Sequence, residues 1–124
     1  MIPKYNLDEL RALAKPDIEN WISKTKALNP VVKFKSCSLV EATDFIYAQL
    51  QALELDNFSN TIYFDGHTYD VYGKRIEEVP WYIKFCITED LDGKRYIRNI
   101  SFHPTVKNLK TRCEELEAYE EDYE

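Results

Sequence analysis

Asp92-Gly93 lies between two runs, WYIKFCIT (81 to 88) and RYIRNISFH (95 to 103), in which apolar and polar side chains alternate. Asp-Gly readily adopts the positive φ angles of a tight hairpin turn, so the pair marks two antiparallel strands more strongly than any other short signal. Folding the runs about this turn sets Tyr82 opposite His103, Lys84 opposite Ser101 and Cys86 opposite Asn99. Side chains alternate faces with period two, which gathers Ile83, Phe85, Ile87, Ile100 and Phe102 on an apolar face. A slip of one residue would mix the two sets, so the parity of the pairing is fixed. The polar face then carries a phenol, an ammonium, a hydroxyl and an imidazole, and is a candidate site. Arg98 falls on the apolar side in this register, where it would cap the sheet edge.

The rest of the chain divides into helices followed by strands. Asn6 and Glu9 have capping-box spacing and predict a helix over 7 to 14. Pro16 ends it and suits the first turn of a second helix. There Asp17 and Glu19 favour the positive end of the dipole, and Ile18, Trp21, Ile22 and Leu28 form an inward stripe. Asn29-Pro30 is expected to stop that helix, and VVKFK (31 to 35) to form an edge strand guarded by Lys33 and Lys35. Ser38 and Glu41 make a second capping box ahead of Leu39, Ala42, Ile46, Leu50 and Leu53 at helical spacing, which predicts a helix over 38 to 53. Phe45 and Phe58 extend this apolar surface as core. A second Asp-Gly pair, Asp65-Gly66, joins NTIYF (60 to 64) to HTYDVYG (67 to 73) as another hairpin, and His67 reads as a residue beside that turn. Helices before strands, with no repeat and no linker, predict an α+β domain in which N-terminal helices pack on one face of a small antiparallel sheet.

The 124 residues suffice for one ordinary core. No apolar run approaches the roughly 20 residues of a membrane span, and the first ten residues lack a signal-peptide layout, so a cytoplasmic location without membrane partners is expected. Cys37, Cys86 and Cys113 are widely spaced and read as reduced thiols with no zinc-type arrangement. Cys86 would be a nucleophile only with a base that the sequence does not specify. No metal and no cofactor are expected. All 16 Lys and Arg precede residue 113, whereas seven of the 22 acids lie in 114 to 124. Residues 1 to 113, the expected domain, therefore carry sixteen basic against fifteen acidic groups, a net +1, followed by an acidic C-terminal tail over 114 to 124. Such a tail is usually a solvated helix end, and it could also lie near Lys107, Lys110, Arg112 or the polar sheet face. This balance does not provide the strongly basic surface of a tight duplex binder.

Between residues 17 and 104 the ordered motifs are a helix, the 31 to 35 segment, the 38 to 53 helix, Asp56-Asn57-Phe58, Asp70-Val71-Tyr72, Tyr82-Ile83-Lys84-Phe85 and Ser101-Phe102. Together they resemble the MqsR-type messenger-RNA interferase toxins of the wider RelE-like fold. The resemblance implies an endoribonuclease that cuts messenger RNA and is held inactive by a cognate antitoxin from a neighbouring gene. It also implies an active-site role for Tyr82, the tyrosine opening the Y-[IL]-K strand. The family's lysine after the acid-x-Phe step falls near Asn60, its glutamine before D-V-Y falls at Tyr69, and its basic residue after S-F is here His103. Metal-free attack of a ribose 2′-hydroxyl on the adjacent phosphate needs a base, a cation and an acid. His103 suits the first or last role, Lys84 or Arg98 the second, and Tyr82 or Tyr72 can donate a hydrogen bond. The expected catalytic set is therefore His103, Lys84 and Tyr82, with Tyr72, Ser101, Arg98, Asn60 and Tyr69 contacting RNA. The alternative is a catalytically weak or inactive relative that uses the same face to bind a protein.

Overall fold

The computed structural model describes residues 2–15 and 24–119. Its centre is an antiparallel meander of β1 (Phe58–Phe64), β2 (His67–Ile76), β3 (Val79–Glu89) and β4 (Arg95–Pro104), paired in that order. Helices α1 (Leu7–Leu13), α2 (Asn29–Lys35) and α3 (Leu39–Ala52) supply the core's other side, so the domain is α+β. Trp81, Ile83, Phe85, Ile87, Ile97, Ile100 and Phe102 meet Leu10, Ala27, Val31, Ile46 and Leu50 there, all buried. Phe45 and Phe58 join that core, Phe45 edge-on to Phe102 at 5.7 Å. Among the described residues no helix is long and apolar enough to cross a membrane.

The hairpins follow the turn chemistry. Asp65 and Gly66 both have positive φ, 53° and 80°, and Phe64 pairs directly with His67. Gly93 has φ 83° in the loop between Glu89 and Arg95, where the Asp90 carboxylate accepts from the amides of Asp92 and Lys94, both at 2.9 Å. The β3–β4 register is the expected one, with Tyr82 opposite His103, Lys84 opposite Ser101 and Cys86 opposite Asn99. It shifts beyond Cys86, where Ile87 pairs with Ile97. This bulge makes Arg98 the extra residue, exposed to solvent, and lets Ile97 take its place on the apolar face. Arg98 therefore does not sit on the apolar side.

The helices differ from expectation in three places. Segment 31 to 35 is α2 and not a strand, and Asn29-Pro30 does not stop the preceding helix. A π-helical turn, Lys24–Leu28, runs directly into α2, and Leu28 keeps helical angles at the junction. Pro30 lies in the first turn of α2, where its missing N–H is tolerated, and the wider turn ahead of it is a usual helical adjustment. Burial of Ala27 and Val31 with Phe34 edge-on to Trp81 at 5.4 Å then follows helical spacing. Pro16, Asp17, Ile18, Glu19, Trp21 and Ile22 lie outside the described residues. At α1, Asn6 accepts from the amides of Asp8 and Glu9, but the Glu9 carboxylate pairs with Arg95 and does not reach back to Asn6. The capping box of α3 is complete: Ser38 Oγ accepts from Glu41 N at 3.1 Å and Ser38 N donates to the Glu41 carboxylate at 2.9 Å. Leu39 is nevertheless half exposed, one turn ahead of the buried stripe that starts at Ala42.

Two segments strap the sheet. Near the N-terminus, Lys4 N, Tyr5 N and Thr61 Oγ1 all donate to the buried Asp70 carboxylate, at 3.0, 2.8 and 2.6 Å, and Tyr5 Oη donates to Thr68 O at 2.7 Å. At the other end a small hairpin of β5 (Leu109–Lys110) and β6 (Glu115–Leu116) lies against Gly73. Leu116 is fully buried, and Arg75 holds Glu117 at 3.0 Å and Glu114 at 3.5 Å. Residues 114 to 119 are thus not the end of a helix: 115 and 116 are strand, Leu116 alone among them is buried, and residues 120 to 124 lie outside the described part.

Candidate functional site

Strand parity places Tyr82, Lys84, Ser101 and His103 on the sheet face away from the helices. The Tyr82 and His103 rings stack across the β3–β4 pair, centroids 5.0 Å apart and planes 19° apart. Tyr82, Lys84 and His103 line a concavity of about 350 Å³ whose far wall is the connection Val106, Lys107, Asn108 and Leu109. Ser101, expected to contact RNA, is buried and does not line it. The wall exists because β4 ends at Pro104 and the chain turns back to lay β5 and β6 over Gly73, where no side chain obstructs them.

Each group in the concavity is tuned by burial. His103 Nδ1 lies 2.8 Å from Pro104 O, and because a carbonyl only accepts, this tautomer carries its proton on Nδ1 and its basic lone pair on Nε2. Burial pulls its pKa below the usual 6.5; the Pro104 carbonyl opposes that, and the charges of Lys84 and Lys26 reinforce it. The imidazole is therefore neutral at pH 7. Lys84 is likewise shifted down, by burial first and then by Lys26. Its ammonium makes no hydrogen bond or ion pair with the described residues and instead stands over Tyr69 at 4.9 Å and Phe64 at 5.3 Å. Burial raises the Tyr82 phenol, which stays protonated and able to donate. A neutral base, a phenol donor and a cation lacking a carboxylate partner form a set suited to an anionic substrate that must lose a proton.

The remaining expected site residues are dispersed. Tyr69 shares this face, as the ring under Lys84. Asn60 shares it by register, opposite Val71, which in turn pairs with Lys84, but it does not line the concavity. Tyr72 does not belong to the site: it is buried on the helix side, stacked on Phe85 at 5.8 Å. Arg98 stands at the bulge, outside the cluster. Cys86 is buried with its Sγ 3.7 Å from Tyr5 Oη, a packed thiol. Sequence alone did not single out Phe64, Lys26 or the Val106 to Leu109 wall, all brought in by tertiary structure. Among the described residues no three His, Cys, Asp or Glu side chains gather in a metal-binding group. A larger concavity of about 720 Å³ lies between the N-terminal strap and residues Glu54, Leu55 and Asp56; Asp8 and Arg11, paired at 2.9 Å, line it together with Tyr72, whose buried hydroxyl makes no hydrogen bond with the described residues. No protein-family model matches the chain, and no curated protein matches its sequence.

Proposed function

We propose that the chain is an MqsR-type messenger-RNA interferase of RelE-like fold, acting in the cytoplasm and restrained by a cognate antitoxin. The observation that carries this reading is the neutral His103, held by Pro104 O and stacked on Tyr82, beside the partner-poor ammonium of Lys84 in one open concavity. His103 Nε2 takes the proton of a ribose 2′-hydroxyl. The 2′-oxygen then attacks the adjacent phosphorus, and the bond from phosphorus to the 5′-oxygen breaks. The imidazolium returns its proton to the departing 5′-oxygen, so one residue serves both transfers. Lys84 neutralises the charge that accumulates on the phosphoryl oxygens, and the Tyr82 hydroxyl donates to them. The products are a 2′,3′-cyclic phosphate and a 5′-hydroxyl, formed without metal. Asn60 stands where the family has a lysine, and in this reading Lys84 supplies that charge.

The test is induced expression of the wild-type chain against His103→Ala. The wild type should arrest growth and fragment messenger RNA; the variant should do neither. Cleavage in vitro should persist in EDTA and leave cyclic-phosphate ends. Its rate should fall on the acid side with a midpoint below 6.5, because protonating His103 removes the base. Growth arrest by both chains with intact RNA would favour the alternative, a protein-binding module.

A further inference from the structure

The two edges of the sheet are built differently. β4 carries the exposed Arg95 and Arg98, is interrupted by the bulge at Arg98, and has α2 and the π-helical turn packed against it. Charges, a bulge and covering elements are the usual devices that keep an edge strand from pairing further. β1, at the other edge, reads FSNTIYF, with no charged residue and no proline. Its first residues are covered: Arg112 N donates to Phe58 O at 3.0 Å, and Ser59 Oγ donates to Lys110 O at 2.6 Å. Beyond them the strand is bare. Positive φ at Asp65 and Gly66, with Phe64 paired to His67, defines a two-residue turn whose flanking residues exchange hydrogen bonds, so bonded and non-bonded pairs alternate back along β1. The N–H and C=O of Thr61 and Tyr63 therefore point away from β2, and they make no hydrogen bond with the described residues.

We propose that a second copy of the chain pairs with this bare stretch, β1 antiparallel to β1, about a two-fold axis at Ile62. In that register Thr61 of each copy faces Tyr63 of the other, and the two pairs exchange four backbone hydrogen bonds. Centring on Thr61 would set Tyr63 against the covered Ser59, and centring on Tyr63 would set Thr61 against Asp65 in the turn. Ile62 meets Ile62 on the axis, and Tyr63, 76% exposed in the single chain, lies against Thr61 of the second copy. The same register places Asp65 opposite Ser59 of the other copy, whose hydroxyl is bonded to the exposed Lys110, so opposite charges close each end of the joint. That complementarity within one sequence selects a second copy over a foreign strand. The axis runs perpendicular to the sheet, so two four-stranded sheets join as one and both His103 concavities open to the same side.

The joint is short, so a dissociation constant on the order of 100 µM is expected, and sedimentation equilibrium of the full chain from about 5 to about 500 µM reads it. Asp65→Asn keeps the turn, because Asn-Gly suits it equally, and Lys110→Gln leaves the hairpin backbone unchanged. Each should weaken the dimer roughly 2- to 30-fold, since two exposed ion pairs are lost at once, and the double variant should be no weaker than either alone. Tyr63→Pro removes an N–H that β2 does not use and should leave a folded monomer by circular dichroism. The register is read directly in a Cys113→Ser background. There Ile62→Cys should form an intermolecular disulfide on mild oxidation, because facing non-bonded residues bring their Cα atoms within about 4.5 Å, and Asn60→Cys should not. A wild type that stays monomeric throughout the range overturns the proposal and leaves the edge to a foreign strand. A dimer in which Asp65→Asn and Lys110→Gln change nothing and Ile62→Cys does not cross-link forms elsewhere, and overturns it equally. Neither result bears on the cleavage reading, which requires no second copy.

Discussion

Replacing Gly73 with alanine tests whether the C-terminal hairpin is seated on the sheet as described. A Cβ at this position would lie 2.5 Å from Leu109 Cδ2, 2.7 Å from Leu116 Cδ1 and 3.2 Å from Thr111 Cγ2. Carbon atoms in contact prefer about 3.5 to 4.0 Å, so the new methyl overlaps two leucines by roughly 1 Å each. Leu116 is fully buried and cannot swing into solvent. Overpacking of this kind costs about 1 to 3 kcal/mol, against a gain of about 0.4 to 1 kcal/mol from the less flexible unfolded chain. Gly73→Ala should therefore destabilise by about 1 to 2 kcal/mol, roughly a 4 to 10 °C fall in Tm for a chain of this length. Leu116→Ala alone should cost about 2 to 5 kcal/mol by leaving a cavity. In the double variant the methyl occupies part of that cavity, so the two costs should sum to less than their separate values by about 1 to 2 kcal/mol. Urea unfolding of the four chains measures each number. A Gly73→Ala chain as stable as the wild type, or strictly additive costs in the double variant, would refute this seating of the hairpin and with it the wall of the concavity.

Asp70→Asn should cost about 1.5 to 3 kcal/mol in urea unfolding. One carboxylate oxygen that now accepts from Lys4 N and Thr61 Oγ1, or the other that accepts from Tyr5 N, becomes an amide facing a donor. A loss below about 0.5 kcal/mol would mean that the strap is held by other contacts. Glu77 and Glu78, at φ 52° and 70°, occupy the β2–β3 turn in a backbone region that costs an L residue about 1 to 2 kcal/mol. Changing them to Asn-Gly should raise Tm, offset only slightly by loss of the exposed Lys35–Glu77 pair at 3.2 Å. An unchanged Tm would show that the turn is not strained.

The site face was legible because its information is local. Asp92-Gly93 and the alternation on either side fix Tyr82 opposite His103 without reference to the rest of the chain. The bulge at Arg98 had a signal that strict alternation overrides: Ile97 and Ile100 are three residues apart and cannot share a face of a regular strand. VVKFK misled because four alternating residues after a paired apolar start suit a strand in isolation, while the spacing of Ala27, Val31 and Phe34 continues across Pro30 as a helix. The Glu77-Glu78 turn gave no warning, since glutamate seldom adopts positive φ and only the pairing of Ile76 with Val79 imposes it. Lys26 and Phe64 were invisible for another reason. They lie on separate elements, and nothing in either segment specifies that they meet.

The N-terminal strap has a kinetic consequence. Each sheet strand pairs with its neighbour in sequence, so the meander closes through short loops at small entropic cost. The bonds from Lys4 and Tyr5 to Asp70 instead span 66 and 65 residues. During synthesis the strap leaves the ribosome long before its acceptor exists, and Tyr5 can settle beside Thr68 and Asp70 only once the β1–β2 hairpin has emerged. The strap is therefore a late addition to a sheet that zips from hairpin to hairpin, and Lys4 and Tyr5, made before that sheet, find their places after it.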